Sequence, residues 1–190
     1  MSPLEFVAVA ITLAAVYLTT RQVVWCWPLG MISVALYAVV FYDAQLYAEV
    51  GLQAVYFVLS AYGWWAWVGG GAEESGLSVR PLGIGHAAWL IVAGAVGGAL
   101  LGFGLARLTT ASLPFLDSQL AAFSIVAQWL QARKLLQAWL LWIALDVVYV
   151  GMFAYKGLYL TSALYAVFLY LAALGYRSWS DSMRAEAAGS

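Results

Sequence analysis

Apolar residues fill seven long runs along the chain, and short polar segments separate these runs. A helix that crosses the hydrocarbon core of a bilayer needs about 20 mostly apolar residues, so the pattern predicts seven transmembrane helices. The predicted spans are Leu4–Thr19, Val24–Tyr42, Tyr47–Trp67, His86–Leu105, Ser118–Gln131, Leu135–Tyr155 and Leu158–Tyr176. The first and fifth spans are short, and we expect them to include some interfacial residues.

The chain also repeats itself at a constant offset. The segment 5–67 aligns without a gap on the segment 117–179, an offset of 112 residues (117 minus 5). Identical residues at this offset include Arg21 and Arg133, Trp27 and Trp139, Tyr37 and Tyr149, Gly63 and Gly175, and Trp67 and Trp179. Two copies of one apolar unit are typical of pseudo-symmetric membrane proteins, whose functional site usually lies between the copies.

Each copy contains three predicted spans, and the fourth span lies between the copies. An odd number of spans per copy would insert the copies in opposite senses, and the single fourth span corrects this, so the copies should run parallel. The sequence therefore predicts an all-α membrane protein with seven transmembrane helices in a 3+1+3 arrangement. Its predicted parts are the first repeat (4–67), a linker with the fourth helix (68–115), the second repeat (116–179) and a cytoplasmic tail (180–190).

The fourth span carries Gly94, Gly98 and Gly102 at intervals of four residues. Glycines at this spacing let two helices approach closely. The partner helix is either part of one repeat of the same chain or part of another protomer. The polar entry to this span, from Gly69 to Gly85, has the composition of an exposed linker.

Composition and charge place this chain in a membrane. It is 65% hydrophobic and 9% charged, whereas a soluble domain carries roughly 25% charged residues, so the lipid bilayer must be its solvent. Six of the eight basic residues fall on one side of the seven-span topology, namely Arg21, Arg80, Arg133, Lys134, Arg177 and Arg184. Because basic residues concentrate on the cytoplasmic side, we expect the N-terminus outside and the C-terminus in the cytoplasm.

Four tryptophans also fall near the predicted inner interface: Trp64, Trp65, Trp67 and Trp179. Tryptophans are enriched where the membrane meets water. We therefore interpret these four as part of an aromatic belt.

Several function classes receive no support from the sequence. Basic residues form no cluster that would suggest a nucleic acid partner. The single cysteine, Cys26, cannot form an internal disulfide, and the single histidine, His86, has no neighbours at metal-ligand spacing. The sequence contains no Ser–His pair and no ligand set, so we expect no enzyme activity, no catalytic residue, no metal and no cofactor.

Asp146 is the outstanding polar residue, because it lies near the middle of the sixth span. A carboxylate there costs roughly 2.5–3.5 kcal/mol on insertion scales, so it normally faces a cavity or a partner. No Lys or Arg falls at matching depth, and the repeat counterpart of Asp146 is Val34. The missing counter-ion is then the substrate, unless Asp146 is protonated or bonded within its helix and serves only in packing.

Trp139, Trp142, Asp146 and Tyr149 are spaced three, four and three residues apart and therefore share one face of a helix. Two tryptophans close to a carboxylate could form an aromatic box for a flat cation. Aromatic residues at this spacing also occur as packing residues, so the stripe alone leaves both interpretations open.

Polar residues also line faces of three other predicted spans. They are Glu49, Gln53, Tyr56 and Ser60 in the third span, Ser124 and Gln128 in the fifth, and Thr161 and Tyr165 in the seventh. Glu49 falls nearer the outer interface, where we expect it to be solvated. Any one pair could simply bridge two helices, but together they place hydrogen-bonding groups on both copies, as a central vitamin or nucleoside site requires.

Several short motifs occur in order along both copies. They are Trp27-Pro28-Leu29-Gly30, Phe41-Tyr42, Leu46-Tyr47-Ala48-Glu49, Leu52-Gln53 with Tyr56, Tyr62-Gly63-Trp64, Gln128-Trp129, Trp139-x-x-Trp142-x-x-x-Asp146, Tyr155-Lys156-Gly157-Leu158-Tyr159-Leu160-Thr161 and Gly175-Tyr176. In these motifs the chain resembles the PnuC-type nicotinamide riboside transporters. The resemblance covers nearly the whole chain, except for the linker and the tail after Trp179.

The resemblance implies a fold related to that of the SWEET sugar transporters, with one substrate bound between the repeats. It also implies homotrimers in the bacterial inner membrane and uptake of a vitamin-like nucleoside by facilitated diffusion, with a cytoplasmic kinase that traps the substrate. In the family pattern, Trp139, Trp142 and Gln53 correspond to binding residues.

These observations together predict a uniporter for nicotinamide riboside. Its pyridinium cation would stack on Trp142 and Trp139, with Asp146 as counter-charge. The other predicted site residues, which would hold the ribose or carboxamide or line the site, are Gln53, Tyr56, Gln128, Ser124, Tyr149, Tyr165 and Glu49. Thiamine, another flat cation, fits the same physics, whereas neutral riboflavin would gain less from Asp146. A non-transporting scaffold would explain the repeat but not the acid.

Overall fold

The computed structural model describes residues 3–43, 47–69, 77–108 and 113–189, and this part of the chain is built from seven helices. They are α1 (Pro3–Thr20), α2 (Cys26–Asp43), α3 (Tyr47–Val68), α4 (Ile84–Leu108), α5 (Pro114–Ala132), α6 (Gln137–Tyr155) and α7 (Tyr159–Gly189). The number and order of the predicted helices are therefore confirmed. The last helix continues well beyond the predicted end at Tyr176, so the described part of the predicted tail, residues 180–189, is helical.

Five of these helices, α1, α2, α4, α6 and α7, are long and apolar enough to cross a membrane. The two others, α3 and α5, include the side chains of Gln53 and Gln128. Polar side chains of α3 and α5 also bond to each other.

Six of the seven helices form a closed ring. Neighbouring pairs along the ring are α1–α2, α2–α3, α3–α5, α5–α6, α6–α7 and α7–α1. Each pair of the first copy has its counterpart in the second at the offset of the sequence repeat. The ring therefore has a pseudo-two-fold relation between its halves. The parallel insertion of the two triplets in a bilayer stays a prediction.

The remaining helix, α4, packs against α5 on the outside of this ring. A Cβ atom added at Gly94 would lie 2.8 Å from the Phe123 ring, and one added at Gly98 would lie 2.7 Å from the Gln119 side chain. At Gly102 it would lie 2.6 Å from the ring of Phe115. The three glycines thus serve packing within the chain, and the alternative that they contact another protomer is wrong.

Matching turns connect the first two helices of each copy. Gln22, with φ of 56°, and Lys134, with φ of 50°, adopt the left-handed conformation that is uncommon for residues other than glycine. The two residues are repeat counterparts. The amide of Val23 bonds to the carbonyl of Leu18 at 3.0 Å, and the equivalent bond in the second copy, from Leu135 to Leu130, is also 3.0 Å. The duplication is therefore preserved in backbone detail.

Four buried tryptophans, the tryptophan cluster, pack at the end of the ring that carries these turns. Trp27 contacts Trp67 (5.3 Å between ring centroids), Trp67 contacts Trp179 (5.8 Å), and Trp179 contacts Trp139 (5.4 Å). The indole of Trp67 donates to the carbonyl of Ala132. The expectation that Trp67 and Trp179 belong to an interfacial belt is wrong, because both are buried inside the protein.

Trp64 and Trp65, which lie beside Trp67 in sequence, are 42% and 63% exposed. An interfacial role therefore remains a prediction for these two residues alone. Trp67 differs because it lies one helical turn after Gly63 and shares the face of α3 that packs on Trp27.

The segment before α4 runs across the α5–α6 turn. The backbone amide of Arg80 donates to the carbonyl of Lys134 (3.2 Å), and its carbonyl accepts from the amide of Leu136 (3.1 Å). Val79 is buried against the tryptophan cluster.

Burial lowers the pKa of Lys134, and the nearby carboxylate of Glu186 opposes this shift. The Lys134 ammonium lies 4.7 Å from the ring centroid of Trp67. The predicted linker residues 70–76 lie outside the described part.

Candidate functional site

Two hydrogen bonds, one helical turn apart, connect α3 to α5. The hydroxyl of Tyr56 bonds to the hydroxyl of Ser124, which in turn donates to the carbonyl of Ala121 at 2.8 Å. One turn further, the amide of Gln128 donates to the hydroxyl of Ser60 at 3.4 Å. The periodicities of the two helices match, so the polar faces predicted from the sequence meet along one seam.

The pseudo-equivalent seam, between α7 and α1, has a different composition. The counterparts of Tyr56 and Ser60 are Phe168 and Ala172, and the counterpart of Gln128 is Val16. Thr12, which corresponds to Ser124, bonds instead to Ser33 of the neighbouring α2. The polar seam therefore occurs on only one side of the ring, and the symmetry of the backbone is not shared by the chemistry.

Asp146 lies at the middle of α6 and is buried, with 4% of its surface exposed. Within the described part of the chain, no hydrogen bond or ion pair is found for its carboxylate. All eight Lys and Arg residues lie in that part of the chain, so a lysine or arginine counter-ion is not available. The carboxylate is thus desolvated and free to interact with a bound molecule.

The two tryptophans of α6 lie in different surroundings. Trp139 is 1% exposed, belongs to the tryptophan cluster, and has an indole nitrogen without a hydrogen-bond partner among the described residues. Trp142 is only partly buried, and its indole nitrogen donates to the side-chain oxygen of Gln131 at 2.6 Å. Trp142 is therefore the more accessible of the two for stacking.

Aromatic rings also stack on the C-terminal side of Asp146 along α6. The ring of Tyr149 lies 4.5 Å from that of Tyr165, which also contacts Phe153 at 5.2 Å. This stack connects α6 with α7 and brings two predicted site residues into direct contact. In the first copy, Tyr37 and Phe41 stack at 5.9 Å, as their counterparts Tyr149 and Phe153 do at 6.0 Å. The counterpart of Tyr165 is Gln53.

Two predicted residues of α3 are not joined to the others by a direct bond. Gln53 is partly buried, and the described residues offer its side chain no hydrogen bond. Glu49 is exposed in the first turn of α3, and its place near the outer interface stays a prediction. A shallow groove of about 430 Å³ on α3, lined in part by Trp64 and Trp65, shares no residue with the predicted set.

The structure thus joins the predicted residues in two direct contacts, Tyr56 with Ser124 and Tyr149 with Tyr165. Gln131, the partner of Trp142, is not among the site residues predicted from the sequence. It lies in the fifth span and precedes Trp142 by 11 residues, and only the α5–α6 turn brings the two together. The available signal was a further glutamine, three residues after Gln128, near the end of a span that carries other polar residues.

Comparison with known proteins decides what kind of molecule this is. The model of the nicotinamide mononucleotide transporter family matches residues 2–181. The chain belongs to this family. The nicotinamide riboside transporter PnuC of Escherichia coli (strain K12) is 31% identical over 209 residues, which cover 97% of this chain and 87% of that protein.

A second transporter and a solved structure are also similar to this chain. The riboflavin/roseoflavin transporter RibM of Streptomyces davaonensis is 28% identical over 162 residues, covering 84% of this chain and 76% of that protein. The crystal structure of the vitamin B3 transporter PnuC matches with a TM-score of 0.76 at 26% identity, covering 95% of this chain and 82% of that chain. The protein is thus a multi-pass inner-membrane transporter and not an enzyme.

Proposed function

We propose that this transporter takes up nicotinamide riboside by facilitated diffusion with alternating access. The observation that carries the proposal is the buried carboxylate of Asp146, which has no cationic partner in the described part of the chain. A permanently charged pyridinium ring is a fitting counter-ion, because it can pair with the carboxylate and also stack on the neighbouring indoles.

The charges of the candidate site favour nicotinamide riboside over nicotinamide mononucleotide, the molecule after which the family is named. A phosphate is usually bound by Arg or Lys side chains, which match its charge and its hydrogen-bonding oxygens. None of the candidate site residues is basic, and Asp146 would repel a phosphate. The site is therefore suited to a nucleoside cation without a phosphate group.

The proposed roles follow from position and chemistry. Trp142 stacks on the pyridinium, Trp139 closes the site towards the tryptophan cluster, and Asp146 supplies the negative charge. Hydrogen bonds to the ribose and carboxamide come from Gln53 and from the polar seam between α3 and α5. The proposed seam residues are Tyr56, Ser124 and Gln128, and the remaining members of the proposed site are Tyr149, Tyr165 and, near the outer entrance, Glu49.

Uncoupled transport is the expected result in proteoliposomes. No relay of acidic or histidine side chains accompanies Asp146 in the described helices, and the single histidine, His86, is exposed at the start of α4. Because the substrate is a cation, the membrane potential is held at zero. Labelled nicotinamide riboside should then reach equal concentrations inside and outside, and an imposed pH or sodium gradient should not change the end point. The measurement is internal label against time, with protein-free liposomes as the control.

Accumulation above the external concentration, driven by either gradient without a trapping enzyme, would contradict this mechanism. A competition experiment in the same liposomes tests the identity of the substrate. Excess unlabelled nicotinamide riboside should block uptake of the label, whereas its 5′-phosphate should not. If the 5′-phosphate inhibits uptake and unlabelled nicotinamide riboside does not, the site does not favour an unphosphorylated cation.

Riboflavin is the second candidate, and the likeness to RibM favours it. A neutral flavin would use the stacking surface of Trp142 without the charge of Asp146. Thiamine, which is also a flat cation, would use both. Direct binding of the three vitamins to the purified protein distinguishes these substrates, and the proposal requires nicotinamide riboside to bind most tightly.

We also propose that the N-terminus is outside and the C-terminus is cytoplasmic. The basic turn residues Arg133 and Lys134 support this orientation, because positive charge stays on the cytoplasmic side. A reporter that is active only in the periplasm should be silent when fused after Ser190, and the same reporter fused after Gly157 should be active. The reverse pattern would overturn the orientation.

We also propose that a cytoplasmic kinase traps the transported substrate and that the transporter forms a homotrimer. Uncoupled transport only equilibrates its substrate, so net uptake needs a reaction that removes the free vitamin, and phosphorylation does so by adding charge. Five large apolar side chains on the outer face of α4 are exposed in the single chain, where lipid or a second protomer would cover them: Trp89, Val92, Val96, Leu100 and Phe103.

A further inference from the structure

Gln131 is a buried amide in the last turns of α5, with 7% of its surface exposed. Its side-chain oxygen accepts a hydrogen bond of 2.6 Å from the indole nitrogen of Trp142. An indole N–H can only donate, so the oxygen of the amide must face the ring and its NH₂ group must point elsewhere. The contact thus has a defined direction.

The surroundings of Trp142 do not fix its ring by themselves. Trp142 is partly exposed and packs between the tryptophan cluster and a second buried group of residues that includes Leu145 and Met152. The torsion that rotates an indole about its Cβ–Cγ bond has a broad energy profile. A hydrogen bond to the nitrogen at the ring edge restricts this rotation, and Gln131 supplies one from a neighbouring helix.

The backbone of Gln131 is itself held in place. Its carbonyl accepts the amide of Lys134 at 3.0 Å in the left-handed turn between α5 and α6. The amide side chain therefore projects from a fixed point towards α6. In the first copy the counterparts of Gln131 and Trp142 are Thr19 and Gly30, so this arrangement belongs to the second copy alone, as does Asp146.

We propose that Gln131 is a positioning residue that holds the indole plane of Trp142 ready to stack on the substrate. The inference rests on the proposed function, because it requires Trp142 to contact the transported vitamin. Gln131 itself does not touch the substrate. Its effect on binding passes through the indole nitrogen and disappears when that nitrogen is removed.

A double-mutant cycle on full-length purified protein tests this inference. Binding of nicotinamide riboside is measured by calorimetry for wild type, Gln131→Met, Trp142→Phe and the double variant. Methionine keeps the length of the glutamine side chain but lacks a strong acceptor, and phenylalanine keeps an aromatic face but lacks the N–H group. Gln131→Met should weaken binding about two- to tenfold in the wild-type background and less than about twofold in the Trp142→Phe background.

Gln119→Met is the matched control, since Gln119 lies on the same helix but bonds to Ala95 of α4, outside the ring. It should leave binding unchanged. Gln131→Glu, which retains an acceptor oxygen, should bind more tightly than Gln131→Met. If Gln131→Met has no effect, or weakens binding equally in both backgrounds, the positioning role is wrong. A wild-type protein that does not bind nicotinamide riboside contradicts the proposed substrate instead, and the cycle is then measured with the vitamin that binds.

Discussion

Asp146→Asn should weaken the binding of nicotinamide riboside about five- to 150-fold, which corresponds to about 1–3 kcal/mol. The substitution keeps the shape and hydrogen-bonding capacity of the side chain but removes its charge. Asp146 is buried, so its attraction for a pyridinium is weakly screened by water. The dissociation constant is measured by calorimetry on detergent-purified protein.

The control uses the substrate as well as the protein. The reduced, dihydropyridine form of the nucleoside is uncharged, so any affinity it has should be nearly insensitive to Asp146→Asn. Trp142→Ala should weaken binding of the cation by an amount similar to Asp146→Asn, and Trp142→Phe by less, because an aromatic face remains. If a folded Asp146→Asn protein binds the cation as tightly as wild type, Asp146 is structural and a cationic substrate loses its physical advantage.

Gly175→Ala should destabilise the folded protein by about 1–3 kcal/mol, the usual cost of inserting a methyl group into a packed interior. A Cβ atom at this position would lie 2.5 Å from the ring of Trp139. That ring cannot move away easily, because it is buried and packs edge-on against Trp179. The expected result is a lower melting temperature in detergent.

Gly151→Ala is the matched control, because a Cβ atom at Gly151 would meet no atom within 4 Å. Alanine is favoured over glycine within a helix, so this variant should melt at or above the wild-type temperature. Gly63→Ala should behave like Gly175→Ala, since its Cβ would lie 2.5 Å from the Trp27 ring. Equal melting temperatures for Gly175→Ala and Gly151→Ala would contradict the packing argument.

The helices could be predicted because long apolar runs and a constant repeat offset are local features of the sequence. The fate of individual tryptophans could not. Trp64, Trp65 and Trp67 have the same chemistry and are nearly adjacent, yet only Trp67 is buried. The packing of α3 on α5, which closes the ring of helices, decides which face of the helix end is turned towards the opposite repeat. No local sequence pattern encodes that contact.

The candidate site could also be predicted only in part, because some of its contacts join separate helices. A lone acid among apolar residues marks Asp146 without any structural information, and the structure buries this residue. The bonds between Tyr56 and Ser124 and between Trp142 and Gln131 depend on how separate helices are placed in register. The sequence supplied the polar faces of α3 and α5 but not their pairing, and Gln131 did not by itself indicate a contact with Trp142.

The position of α4 outside the ring has an evolutionary consequence. Because α4 is not needed to close the ring, a three-helix chain could form the same ring by pairing with a second copy of itself in the same orientation. Every substitution in such an ancestral dimer would appear twice. After duplication and fusion through an added helix, each half could diverge independently, which permits one acid at Asp146 opposite Val34 and one polar seam instead of two. Binding an asymmetric molecule off the central axis would then be a property gained by fusion.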